Sequence, residues 1–191
     1  MGNVKLMTGS LLVTALISVL PLAACSVQEK SEGDDKNVQI QTPFGDLKVR
    51  TGVEAKDVGL ELYPGSTPRQ PRGDDKHSAN VQIGNDRFGL KVVAAEYDSK
   101  DAPEKVLDFY RKELKSYGAV TECKGTQGDT SFESLDVGDD QDLKCNEAKK
   151  GDAVELKAGT SDRQRIVSVH PNGTGSRFAL VYIQKHGREK I

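Results

Sequence analysis

Tryptophan is absent from this 191-residue chain, aromatic residues make up 5% of it, and there are only three cysteines. No excess of one charge sign stands out either: 27 basic residues face 29 acidic ones, for a formal net charge of -2. That balance excludes an ordinary nucleic-acid binder, which carries a concentrated basic surplus. The length allows one domain or slightly more and excludes the large barrel architectures. Motifs of well-known chemistry are missing as well. There is no GxSxG, no HExxH and no CxxC pair, and His77, His170 and His186 are scattered. The Gly173-Thr174-Gly175 run lacks the following Lys-Ser/Thr of a phosphate loop. No cofactor and no metal-ligating set is therefore expected.

What is present begins with an asymmetry. Residues 1–24 hold no acid and one base, Lys5, before the run Leu11-Leu12-Val13-Thr14-Ala15-Leu16-Ile17-Ser18-Val19-Leu20. A short basic start, a brief apolar core and small residues make the layout of a secretory signal, too short for a comfortable membrane span. The sequence Leu22-Ala23-Ala24-Cys25 then resembles the lipobox of bacterial lipoproteins. That resemblance implies cleavage before Cys25, lipidation of its thiol, palmitate included, and attachment to the bacterial cell envelope, facing the periplasm. It also implies that Ser26, in place of aspartate, directs the protein to the outer membrane in a Gram-negative host. Two or three acyl chains make a lasting anchor, since one holds only marginally. Removing residues 1–24 leaves a chain of 167 residues, about 39% apolar against a usual 45–50%. The core is expected to be thin.

Two cysteines remain, Cys123 and Cys145. Outside the cytoplasm an isolated pair is most simply a disulfide, and closing its loop would stabilise by about 3 kcal/mol. A pair of free thiols is the other reading. A metal site fails on spacing.

Along the chain, residues 25–36 are polar and aperiodic, a tether with a reach of roughly 18 Å as a flexible coil. Residues 37–52 alternate, with Val38 and Ile40 before Pro43-Phe44-Gly45 and Leu47 and Val49 after it, which predicts a β-hairpin. A lone hairpin is marginal in water, so it must pack on the main domain or on a partner. Residues 53–78, carrying Pro64, Pro68 and Pro71, read as a linker.

The main domain is expected over 79–185. Val81 and Ile83, then Phe88, Leu90, Val92 and Ala94, predict a second hairpin. Asp101 with Glu104 predicts a capping box, Pro103 sits in the first turn, and Gly118 supplies a left-handed stop. Between them Val106, Leu107, Tyr110, Leu114 and Tyr117 share one helical face. Strands follow at Ala119–Cys123, Val154–Ala158, Arg165–His170 and Arg177–Gln184, and 186–191 reads as a tail. The stretch Asp101-Ala102-Pro103-Glu104-Lys105-Val106 through Phe109-Tyr110-Arg111-Lys112-Glu113-Leu114, with Tyr63-Pro64-Gly65, resembles bacterial envelope lipoprotein domains that have no known active site to carry over.

Asp129, Glu133, Asp136, Asp139, Asp140 and Asp142 crowd the loop 124–144 and invite a calcium reading. Their order does not fit an EF-hand, so a solvated acidic loop is preferred. The expected architecture is α+β: one amphipathic helix packed on a mostly antiparallel sheet, preceded by a separate β-hairpin. The expected function is a membrane-anchored, non-enzymatic binding or assembly module with an envelope protein as a possible partner. A small-ligand or calcium-binding periplasmic domain is the alternative, and a hydrolase with an unrecognised site comes after it.

Overall fold

A computed structural model describes residues 26–32, 35–42, 45–69, 78–85, 88–126, 143–145 and 151–186. Among the described residues ten strands join in one sheet. In chain order they are β1 (Ser26–Glu32), β2 (Asp35–Thr42), β3 (Gly45–Arg50), β4 (Thr67–Pro68), β5 (Ser78–Gly84), β6 (Gly89–Ser99), β7 (Thr121–Thr126), β8 (Ala153–Thr160), β9 (Arg163–Asn172) and β10 (Gly175–His186). Their spatial order is β1-β2-β3-β5-β6-β10-β9-β8-β7, with β4 pairing β6 beyond the end of β5. Every pairing is antiparallel.

This corrects the expected fold class. Among the described residues strand accounts for 60% and helix for 16%, so the fold is β-rich rather than α+β. Nor is the hairpin of residues 37–52 separate. Its strands β2 and β3 lie inside the sheet, between β1 and β5. The physical reason is the edge: an isolated hairpin leaves a row of unpaired N–H and C=O groups, and pairing them with a neighbour removes the penalty. The same effect orders Ser26–Glu32, which the sequence reads as tether. Its one apolar residue, Val27, is 64% exposed, and what holds the strand is its ladder to β2, from Ser26↔Gln41 to Glu32↔Asp35.

Residues 53–63, read as part of a linker, pack into the core. A single helical turn, α1 (Ala55–Val58), is followed by Gly59 at φ 78°, a left-handed stop that glycine adopts freely. Val53, Ala55, Val58, Leu60 and Tyr63 are all buried against the sheet. The longer helix, α2 (Pro103–Leu114), runs on into a 3₁₀ turn at Lys115–Tyr117. Its N-cap is Ala102 and makes no side-chain cap bond. Asp101 does not act as the cap. It accepts instead from Tyr63 Oη at 2.9 Å and Lys105 Nζ at 2.8 Å. Gly118 has a positive φ of 129°, but with ψ at -161° it is not the left-handed cap expected.

The alternation of strand side chains sorts two apolar layers. On one face Val93, Ala95 and Tyr97 of β6 meet Phe178 and Leu180 of β10, Val167 and Val169 of β9, and Leu156 of β8. Onto these α2 packs Val106, Leu107, Tyr110 and Leu114. Each such side chain, fully buried, contributes roughly 1.5–3 kcal/mol. Phe178 is the hub, with Tyr63, Tyr97 and Tyr110 ring centroids at 6.4, 5.5 and 5.7 Å. On the opposite face Val92, Ala94, Ala179, Val181 and Ile183 form a second buried cluster.

Candidate functional site

A helix is about 10–12 Å across and covers two or three strand spacings of about 4.8 Å. One helix therefore leaves much of a ten-stranded sheet open on its own side. Here α2 lies against β8, β9 and β10, and the half of the sheet built by β1, β2, β3 and β5 extends past it.

What that uncovered face carries follows from register. Gln28 of β1 pairs with Gln39 of β2, and Gln39 with Lys48 of β3. Lys48 pairs with Gln82 of β5, and Gln82 with Lys91 of β6. Lys91 pairs with Gln184 of β10, Gln184 with Arg163 of β9, and Arg163 with Thr160 of β8. Directly paired residues share a face. Lys91 is two positions from Val93, which faces the main core, so the whole row lies on the α2 side. Eight strands thus contribute one unbroken line of amides, cations and a hydroxyl, without an acid. Seven strand spacings make it about 34 Å long.

A parallel row beside it runs Lys30, Asn37, Arg50 and Asn80. It then turns apolar at Val93 and aromatic at Tyr182. On the other flank lie Ser26, Gln41, Asp46, Gly84, Gly89 and His186. The glycine at 89 is required there. A Cβ on it would stand 1.7 Å from the His186 ring, which lies across that position.

Three concavities follow the row. One of about 710 Å³ contains Gln28, Gln39, Lys48 and Gln82 among its walls. The next, about 390 Å³, shares Lys48 and Gln82 and adds Lys91, Gln184 and His186. The third, about 580 Å³, shares Gln184 and His186 and ends at Arg163 and Thr160. Every residue of the row lines at least one of them, so the row is the floor of a groove rather than a flat patch.

The end beneath α2 is fixed by Arg165. Its guanidinium sits 3.7 Å from the Tyr117 ring centroid and 4.9 Å from that of Tyr182. Arg165 Nε donates to Val58 O at 3.1 Å, and Tyr117 Oη donates to Gly59 O. Stacked and hydrogen-bonded, Arg165 is a structural clasp between α1, the 3₁₀ turn and β9. The groove cations are not so engaged. Among the described residues, Lys48, Lys91 and Arg163 make no ion pair, whereas Arg50 contacts Asp57 at 3.1 Å. Lys91 lies 6.0 Å from the Tyr182 ring centroid.

The residues singled out from the sequence fall elsewhere. Cys25 lies outside the described residues. Cys123, on β7, is 2% exposed, and its sulfur is 2.10 Å from that of Cys145, disulfide distance. The acidic positions 129, 133, 136, 139, 140 and 142 lie outside the described residues, as do His77 and Pro71. His170 is half-buried on β9, and that burial lowers its pKa. Of the two described histidines, His186 is the one that reaches the groove. Among the described residues no three His, Cys, Asp or Glu gather as a metal site. No helix among them is long and apolar enough to cross a membrane. The protein is thus a β-rich single-sheet protein with a polar groove across its strands. No family model, no curated protein and no solved structure matches the chain.

Proposed function

We propose that this chain is a lipid-anchored protein of the bacterial envelope, a non-enzymatic binding module that faces the periplasm and receives its ligand in the cross-strand groove. The observation that carries the reading is the groove itself, an eight-strand row of amides, cations and a hydroxyl that starts on the half of the sheet α2 leaves uncovered and runs on across β6, β10, β9 and β8. Amides donate and accept, and lysine and arginine donate, so the row offers a ligand hydrogen bonds and positive charge. The anchor rests on Leu22-Ala23-Ala24-Cys25 and on the apolar leader before it.

The strand order gives the anchor a mechanical meaning. With lipid on Cys25, edge strand β1, beginning at Ser26, follows the membrane attachment directly, without the twelve-residue tether expected from the sequence. Intact mass of the membrane-extracted protein tests this. The expected species begins at Cys25, is heavier by its acyl chains, and is lighter by two hydrogens for one disulfide. Cys25→Ala should shift the protein out of the lipid-modified fraction. An unmodified chain retaining Met1 overturns the reading.

A further inference from the structure

We infer that the groove takes a linear acidic polysaccharide carrying one negative charge on every second sugar. This rests on the binding reading above and names the ligand class. Spacing selects the ligand. In the row, cations stand on β3, β6 and β9 as Lys48, Lys91 and Arg163, and each is separated from the next by a single strand that bears glutamine, Gln82 or Gln184. Positive charge therefore recurs at two strand spacings, about 10 Å, with an amide midway. A pyranose ring advances a glycan chain by about one strand spacing. Charge on alternate sugars falls opposite the cations, and the neutral sugars between fall opposite amides, which donate to and accept from hydroxyls.

Other ligands fit less well. A single-stranded nucleic acid wants aromatic platforms for successive bases, and the aromatic rings at this row, Tyr117 and Tyr182, are occupied by Arg165 at 3.7 and 4.9 Å. A flat crystalline polymer surface does not fit, because strands turn by roughly 20–25° each and the row turns with them. A flexible chain follows that turn. The absence of ion pairs on Lys48, Lys91 and Arg163 among the described residues leaves their charge for the ligand. Asp46, on the flanking row, is the acid nearest the middle of the groove and disfavours a polymer charged at every unit.

The test is calorimetric titration of the full-length, detergent-extracted protein with an eight-sugar hyaluronate fragment, whose carboxylates lie on alternate sugars. Its comparators are a four-sugar hyaluronate fragment, a neutral cello-oligosaccharide and a short oligo-dT. The eight-sugar fragment should bind tightest, and more weakly as salt is raised. The variant Lys48→Gln/Lys91→Gln/Arg163→Gln should lose affinity by at least about tenfold with its melting temperature unchanged, since all three side chains are exposed or half-exposed. Lys48→Gln alone should lose a graded part of it. Equal affinity for the neutral oligosaccharide, tighter binding of oligo-dT, or undiminished binding by the variants would each overturn the assignment. The anchored binding module is read separately by the mass measurement, so an acylated protein that ignores hyaluronate fails the ligand class alone.

Discussion

Replacing Tyr110 with phenylalanine removes one oxygen from the buried core and leaves the ring in place. That oxygen serves two backbone groups of the segment between α1 and β4. It donates to Glu61 O at 3.2 Å and accepts from Tyr63 N at 3.1 Å. The side chain has no solvent exposure, and burial holds its phenol well above the ordinary tyrosine pKa, so it stays a neutral donor throughout the working range. Two hydrogen bonds at about 0.5–1.5 kcal/mol each are lost, and an N–H and a C=O are left without their partner, for a total cost of about 2–4 kcal/mol. Tyr63 supplies the control. Its hydroxyl bonds Asp101, a half-exposed carboxylate already held by Lys105, so Tyr63→Phe should cost less than about 1 kcal/mol. Urea unfolding followed by far-UV circular dichroism separates the two. In thermal melts Tyr110→Phe should fall by roughly 5–15 °C. If Tyr110→Phe proves no more costly than Tyr63→Phe, the backbone of residues 60–63 is not held as described.

Two further outcomes are expected. Converting Cys123 and Cys145 to alanine opens a loop with a sequence separation of 22, which should lower stability by about 3 kcal/mol in reversible denaturation; an unchanged midpoint would show that the bridge does not form. Glu113 accepts from the Glu61 N–H through Oε1 while its Oε2 is buried without a partner among the described residues, and burial raises its pKa. With the folded value above the unfolded one, its contribution is whole below the unfolded carboxylate range and is lost as pH rises through the folded value. Glu113→Gln should therefore gain on the wild type as pH is raised from about 4 to 7, and a difference that does not vary with pH would contradict this.

The sequence made some of this legible and hid the rest for identifiable reasons. Helix α2 is visible because Val106, Leu107, Tyr110 and Leu114 recur at helical spacing. The alternation around residues 38–49 shows two strands but cannot say who their outer neighbours are, and so a hairpin set within the sheet reads as a separate one. β1 has almost no apolar signal, because its order comes from the ladder to β2 rather than from its own side chains. In residues 53–63 the proline and glycine beyond hide a buried set, Val53, Val58, Leu60 and Tyr63, that follows no single period. The groove was the least legible of all. Each of Gln39, Lys48, Gln82 and Gln184 looks like an ordinary solvated position until pairing sets it beside the next.

The same pairing makes the groove a parity code, written one letter per strand over eight strands from Gln28 to Thr160. Turns between strands can lengthen or shorten freely without touching it. Inside a strand, a single inserted or deleted residue exchanges the two faces. One residue lost ahead of Lys48 in β3 would bring Leu47 or Val49 to the groove floor and send the lysine to the other side of the sheet. Descendants of this chain that keep the groove should therefore differ in loop length far more readily than in strand length, with Lys48 always an even number of residues from Arg50.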